Sequence, residues 1–182
     1  MPNKEIVIKT TGAVHMSASR SLSLIERKLS NILLKNAYIN LLKKDKHSIK
    51  ISELAFYLGW NSKKNYEKIK LAIKKLVNTT LEFNSFGKDK SSEWMVCSLL
   101  AGAKFQNGIC TYGYFEELRT LLYNPKIYAR LDLLVSNKFT SKNAIALWEF
   151  LMECICTSKN KKAHRPYYQV HPGISSVQLA AA

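Results

Sequence analysis

The chain has 182 residues, of which 28 are Lys or Arg and 13 are Asp or Glu, so its formal net charge is +15. Because 47% of the residues are hydrophobic and 10% are aromatic, the composition excludes a disordered basic tail and predicts one ordinary folded domain or two very small ones. A folded protein with this charge attracts polyanions, so nucleic acid is the first partner to consider and an anionic membrane surface the second.

The sequence shows no targeting or membrane segment. Met1–Lys9 lacks the apolar core of a signal peptide, and no stretch reaches the ~18 uncharged apolar residues of a spanning helix. We therefore expect a soluble, intracellular protein with no membrane partner. The cysteines follow neither a disulfide-framework nor a zinc-site spacing, which predicts no metal site and reduced thiols packed as small hydrophobic side chains. They are Cys97, Cys110, Cys154 and Cys156.

The positive charge is unevenly distributed along the chain. Residues 43–90 hold 12 basic and 5 acidic side chains, whereas residues 91–156 hold six of each and are neutral. We interpret the basic block as a contact surface and the neutral block as a scaffold. The basic residues are 23 Lys and 5 Arg, which favours diffuse phosphate contacts over bidentate recognition of guanine, although an AT-rich genome would produce the same bias.

The first predicted helix covers about residues 23–43. Ser23 and Glu26 have the capping-box spacing, and apolar residues recur after them at helical intervals. A short alternating strand is predicted over 48–51.

Two further helices outline a helix-turn-helix. Ser52 is predicted to cap a helix over 53–58, and Gly59 ends it in the manner of a C-cap glycine. The next helix is predicted over about 63–78, with its apolar side chains on one face. A short helix and a longer one joined by a Gly-containing turn are typical of this motif.

Strand patterns follow the third helix. Residues 79–83 and 92–99 are rich in Thr, Phe, Trp and Val and predict a hairpin with a basic tip, which we take as the wing. A second hairpin is predicted over 103–112, with its turn at Asn107 and Gly108. The predicted fold class is therefore α+β, a winged helix-turn-helix in which a helical bundle carries a small antiparallel sheet as the wing.

The remaining elements are mostly helical. A short helix is predicted over 115–122, an extended or single-turn stretch over 127–134, and a longer helix from about Ser141. The last helix has an apolar stripe, which is more often core or dimer seam than ligand site. The stripe consists of Ile145, Trp148, Leu151, Met152 and Ile155.

The sequence contains no recognisable catalytic motif. It has no Gly-rich phosphate loop, no H-E-x-x-H and no G-x-S-x-G, and its four histidines stand far apart. The His-x-His metal ligands of rolling-circle replication nucleases are also missing. We therefore predict a protein that is not an enzyme and uses no cofactor.

The third predicted helix carries the candidate nucleic-acid contacts. Its lysines lie opposite and beside the apolar face, a placement suited to neutralising phosphates along a DNA groove. A solvated face in a lysine-rich protein would show the same pattern, so both interpretations stay open here. The candidate DNA-binding residues are Ser62, Lys63, Lys64, Asn65, Lys68, Lys74 and Lys75 in the helix-turn-helix, and Lys88 and Lys90 at the predicted wing tip.

Three segments resemble the initiator replication proteins of iteron-type, theta-replicating bacterial plasmids. They are SLSLIERKL at 21–29, IKISELAFYLG at 49–59 and SKNAIALWEFL at 141–151. The third segment resembles the family's late helix, which begins with Ser and continues to Leu, an aromatic residue and Glu. Trp148 and Glu149 occupy the aromatic and acidic positions.

The resemblance implies a winged-helix domain over 20–156, preceded by a strand or arm over 1–19 and followed by a linker or tail over 157–182. In this family the first of two winged-helix domains mediates dimerisation and backbone contacts, and the second reads the origin repeats. This chain has room for the first domain, so it is either an excised N-terminal domain or a single-domain variant.

The function implied by the resemblance is that of a plasmid DNA replication initiation protein in the bacterial cytoplasm. Its partners would be double-stranded origin repeats, a second copy of itself and host replication proteins. A winged-helix transcription repressor and a dimerisation scaffold with an incidental basic surface are the alternatives. We expect a homodimer to form through the neutral block, because two basic faces repel. As the dimer interface we prefer the edge of the 103–112 hairpin over the Trp148 helix, because the apolar stripe of that helix is expected to cover the sheet.

Overall fold

The structure is a computed structural model that describes residues 5–14, 17–60, 65–86, 92–123 and 128–159. No helix within those ranges is long and apolar enough to cross a membrane. The strands are β1 Ile6–Thr10, β2 Ser17–Ala18, β3 Lys46–Lys50, β4 Thr80–Phe86, β5 Ser92–Ser98, β6 Gly102–Gln106, β7 Ile109–Gly113 and β8 Tyr128–Asp132. The helices are α1 Thr11–Val14, α2 Leu24–Ala37, α3 Ile51–Tyr57, α4 Tyr66–Val77, α5 Glu116–Leu122, α6 Leu133–Asn137 and α7 Lys142–Lys159.

Helix α2 begins where the sequence predicts. The Ser23 hydroxyl accepts a hydrogen bond from the Glu26 N–H at 3.4 Å, and the Glu26 carboxylate accepts one from the Ser23 N–H at 2.9 Å, which completes the capping box. The helix ends at Ala37, before the predicted end at 43, and passes into a 3₁₀ turn over Tyr38–Asn40. Beyond Ala37 the apolar positions are divided, because Ile39 and Leu42 are 84% and 52% exposed whereas Leu41 is fully buried.

Helices α3 and α4 form the predicted helix-turn-helix, with a correction at the start of α3. Ser52 is not the cap, because β3 leads directly into the helix at Ile51 and Lys50 keeps an extended backbone. The Ile51 N–H donates to the carbonyl of Gly108 at 2.9 Å, so a neighbouring turn satisfies it in place of a side-chain cap. Gly59 ends the helix with a φ of 73°, as predicted.

The strands form three small antiparallel sheets with the orders β1-β8, β2-β4-β5 and β3-β7-β6. The second predicted hairpin is formed by β6 and β7, and Asn107 and Gly108 turn it with φ values of 50° and 74°. Strand β7 also pairs with β3, the strand that precedes the helix-turn-helix. The β6–β7 hairpin therefore occupies the position of the wing.

The hairpin predicted as the wing is formed by β4 and β5, but it belongs to a different sheet. It pairs with β2 rather than with β3, so assigning the wing to this hairpin was wrong. Local sequence patterns identify a hairpin, whereas the strand beside which it packs is decided by the tertiary fold. Its basic tip, with Lys88 and Lys90, lies outside the described residues.

Helix α7 packs against β8 and α2, but its buried side differs from the predicted stripe. Ile145 is fully buried, whereas Leu151 and Ile155 are 49% and 47% exposed, so the expectation that they cover the sheet was wrong. The buried side continues instead through Glu149 and Glu153, which follow Ile145 at intervals of four residues. Trp148 and Met152 of the predicted stripe pack against the core, but two buried positions, Glu149 and Glu153, lie outside that stripe and carry charged side chains.

The cysteines are free thiols, and each is at least partly buried. Cys110 in β7 is fully buried, and this burial raises the pKa of its thiol to about 11. Such a thiol stays protonated at neutral pH and packs as a small hydrophobic group.

Candidate nucleic-acid interface

Helix α4 has the two-sided distribution that the sequence predicts. Ile69 and Ile73 are buried on its inner side. Lys68, Leu71 and Lys75 are exposed on the opposite side. The outer surface of the second helix of the motif is therefore free of core packing and carries lysines at helical spacing.

The predicted contact residues divide into two groups. Lys68, Lys74 and Lys75 are exposed on α4, and Asn65 is half-buried at its N-terminus without making a side-chain capping bond. The structure therefore places the described members on one helix. The others, which lie outside the described residues, are Ser62, Lys63, Lys64, Lys88 and Lys90.

Lys75 is tied to the start of α2. Arg20 Nη2 donates to the Lys75 carbonyl at 2.9 Å, and Lys75 Nζ lies 3.9 Å from the carboxylate of Glu26, which pairs with Arg20 Nη1 at 2.8 Å. Burial opposes ionisation of Glu26, but Arg20 and the capping bonds with Ser23 outweigh it, so the pKa of Glu26 is lowered. Two cations and one carboxylate leave this cluster positive, and it fixes the end of α4 on α2.

Lys68 and Lys74 are the most available cations on α4. Neither forms an ion pair with another described residue, whereas Lys70 lies 4.0 Å from Glu67 and its ammonium is 5.9 Å from the ring centroid of Tyr66. Glu67 is 78% exposed, so its pairing with Lys70 is weak in water. Lys74 also lies in the last turn, where a cation stabilises the helix dipole.

The wing packs directly against the helix-turn-helix. The ring of Phe105 in β6 meets the ring of Tyr66 in α4 edge-on, with centroids 6.1 Å apart. The turn at Gly108 accepts the hydrogen bond from Ile51 at the start of α3. These two contacts make α3, α4 and the wing a single packed unit.

The outer face of the β3-β7-β6 sheet carries further cations that the sequence analysis did not single out. Lys46, Ser48 and Lys50 are exposed on β3 and alternate with buried residues. Lys104 lies on the same face, because it pairs with Thr111, which pairs with Ser48. For Lys46 and Lys50 the sequence signal is the alternation of exposed and buried positions along β3, which begins two residues before the predicted strand.

Glu149, the acidic residue of the late-helix pattern, has a buried structural role. Its carboxylate accepts hydrogen bonds from Lys9 Nζ at 2.9 Å, Arg27 Nη1 at 2.9 Å and Asn31 Nδ2 at 2.6 Å. Burial alone would raise the pKa of Glu149, but the charges of Lys9 and Arg27 and these bonds outweigh it and hold the pKa below its ordinary value. The cluster joins α7 to β1 and α2, and its members lie too far apart in sequence for any local pattern to connect them.

The β3-β7-β6 sheet and the helix-turn-helix packed against it define a winged-helix domain. Helix α4 of this domain carries the exposed lysines. A family model described as "Initiator Replication protein, WH1" matches residues 6–152. The chain belongs to this family of initiator replication proteins, which confirms the resemblance found in its sequence.

The solved structures with a similar fold include that of the Pi initiator protein in complex with iteron DNA. The TM-score is 0.63 and the sequence identity is 13%. The similar region covers 84% of this chain and 65% of that chain, so the present chain spans slightly less than two thirds of that protein. No curated protein sequence matches the chain.

Proposed function

We propose that this chain is the DNA-binding and dimerising winged-helix domain of a plasmid replication initiator. It holds double-stranded origin DNA largely through the phosphate backbone, in the bacterial cytoplasm and without catalysing a reaction. The observation that carries the proposal is the outer surface of α4, where Lys68 and Lys74 are exposed and without carboxylate partners among the described residues. A similar fold in a protein solved with iteron DNA supports duplex DNA as the ligand.

The exposed lysines of α4 favour contacts that position the protein on the DNA backbone over contacts that read the bases. Lysine offers a point charge that suits phosphate oxygens, whereas arginine offers the planar fork that reads guanine. The exposed cations on α4 are all lysines. Phosphate contacts of this kind fix the register and orientation of a protein on DNA and carry no base information.

A salt titration tests the proposal. Binding of the chain to a labelled duplex is measured at several salt concentrations by fluorescence anisotropy. We expect log K to fall linearly with log[salt], with a slope of about −0.9 for each phosphate neutralised. Absence of binding at low salt would reject DNA as the ligand and leave the scaffold alternative, whereas tight binding to an operator-like site without repeats would favour a repressor.

We propose that the homodimer forms through the edge of β5. Strand β5 is an outer strand of its sheet and lies in the neutral block, where charge repulsion is least. Trp94 and Val96 on β5 are 65% and 47% exposed. The edge favoured from sequence, β6, exposes the smaller or charged Ala103 and Lys104, so pairing through β5 would bury more apolar surface.

A further inference from the structure

A cavity of about 260 Å³ lies between α2, the N-terminal arm and the end of α4. Most of its wall is aliphatic, and its polar end is the place where Lys9, Arg27 and Asn31 of the lining meet at the Glu149 carboxylate. An engineered protein cavity of about 150 Å³ is large enough to hold benzene, so this cavity has room for a small organic molecule. The apolar wall includes Leu34, Leu76, Leu81 and Leu122, and the polar end includes Arg27 and Asn31.

Arg27 has an unused hydrogen-bonding edge at the polar end. Its Nη1 donates to Glu149 at 2.9 Å, while its Nε is buried and has no hydrogen-bond partner in the part of the chain that the structure describes. Nε and Nη2 lie side by side on the guanidinium and together match the two oxygens of a carboxylate. Asn31 Oδ1 is also buried and without a partner among the described residues, but this atom accepts hydrogen bonds, so it calls for a donor and not for an anion. The donor Nε of Arg27 is the atom that an anion could satisfy, and an unsatisfied buried donor beside a cavity is uncommon in a native fold and calls for a physical explanation.

The described charges that meet at the Glu149 carboxylate do not cancel. Lys9 and Arg27 contribute two positive charges and Glu149 contributes one negative charge. One further negative charge would neutralise the cluster, whereas a neutral ligand would leave it unchanged. The position therefore fits a monoanion.

We propose that the cavity binds a small aliphatic monocarboxylate, whose carboxylate accepts hydrogen bonds from Nε and Nη2 of Arg27 and whose chain lies among the leucines. Aliphatic walls favour an alkyl chain, since they provide little aromatic surface for stacking. The site is separate from the outer surface of α4, so the inference does not depend on the proposed DNA-binding function.

Titration calorimetry with sodium octanoate tests the site directly on the full chain. We expect saturable binding of one octanoate per chain, with a dissociation constant of about 1 mM or tighter for a ligand of this size. Octanol has the same chain without the charge and should bind at least about tenfold more weakly. The proposal would be overturned if the heat of octanoate injection did not saturate, or if octanol bound as tightly as octanoate.

Two variants test the polar end and the apolar chamber separately. Arg27→Lys keeps a cation beside Glu149 but removes the two-pronged edge, and should weaken octanoate binding about tenfold. Ser30→Leu adds an alkyl group to the cavity wall and should abolish binding. Among the described residues the Ser30 hydroxyl bonds the Arg27 carbonyl of its own helix and no other group, so the substitution leaves no orphaned partner there. Arg130→Lys, at an exposed position on β8, is the matched control.

Circular dichroism and thermal unfolding establish that each variant is folded before its binding is measured. If folded Ser30→Leu binds octanoate like the wild type, the ligand does not occupy this cavity and the proposal is rejected. If folded Arg27→Lys and the Arg130→Lys control bind equally well, the carboxylate does not use the Arg27 edge and the proposal is likewise rejected.

Discussion

Lys9 on the first strand and Glu149 on the last helix form a 2.9 Å ion pair across 140 residues of sequence. The Glu149 side chain is fully buried and that of Lys9 is 10% exposed. Because neither charge is well solvated by water, each depends on the other and on Arg27 for its stability. Together with Arg27, the pair therefore links β1 and α7 to α2, and α2 packs against the helix-turn-helix.

Removing the carboxylate charge of Glu149 should strongly destabilise the domain. Glu149→Gln leaves the buried Lys9 and the partly buried Arg27 without their shared countercharge, so we expect the free energy of unfolding to fall by about 3–5 kcal/mol in a urea titration. Glu82→Gln, at an exposed position on β4, is the control and should change it by less than about 0.5 kcal/mol. Equal effects of the two substitutions would contradict a structural role for the buried cluster.

The same carboxylate should make stability depend on pH. The pKa of Glu149 is lowered in the folded protein, so its contribution is fully present above the unfolded value of about 4.3 and is lost as pH falls through the folded pKa. Unfolding free energies measured between about pH 6 and pH 3 should therefore fall more steeply for the wild type than for Glu149→Gln. Parallel curves would mean that Glu149 does not ionise more readily in the fold than in the unfolded chain.

Gly59 should resist substitution because its backbone is left-handed. Its φ is 73°, and a Cβ there would lie 2.5 Å from Asn137 Oδ1, which would have to turn away. We expect Gly59→Ala to cost about 1–2 kcal/mol from the backbone conformation, with a matching drop in thermal stability. Gly102→Ala is the matched control, since a Cβ at Gly102 meets nothing within 4 Å. A larger loss in the control than in Gly59→Ala would refute this explanation.

The α4 lysines should weaken DNA binding without changing its sequence preference. Combining Lys68→Ala with Lys74→Ala should lower affinity about equally for unrelated duplexes and reduce the salt slope by about 0.9 for each phosphate that the variant no longer neutralises. The control combines Lys138→Ala with Lys142→Ala, at exposed positions outside α4. Anisotropy titrations on two duplexes measure both effects, and weaker binding confined to one sequence would indicate base reading instead.

A charge on β5 should dissociate the homodimer. Trp94→Lys replaces an exposed apolar side chain on the free edge, so we expect a shift from dimer to monomer in sedimentation experiments while the far-UV spectrum stays unchanged. Ala103→Lys places the same charge on the β6 edge and should leave the dimer intact. If only Ala103→Lys produces monomers, the interface lies on β6.

The local features of the fold could be predicted because they depend on residues close together in sequence. The capping box of Ser23 and Glu26, the left-handed end of α3 at Gly59 and the turn at Asn107 and Gly108 each arise from interactions within a few residues. The two faces of α4 follow in the same way from a 3.6-residue period. The candidate lysines on α4 were therefore identifiable before the fold was known.

The sequence by itself determined most of the helices, the two hairpins and the lysine-bearing face of α4, because short-range hydrogen bonds and side-chain periodicity encode them. Only the tertiary structure decided that β6–β7, rather than β4–β5, is the wing, since both hairpins have similar local signals and differ in whether they pair with β3. It also placed Glu149 beside Lys9 and left Leu151 exposed. Such outcomes depend on which distant segments compete for the same buried surface, and that competition has no signature in any single stretch of the chain.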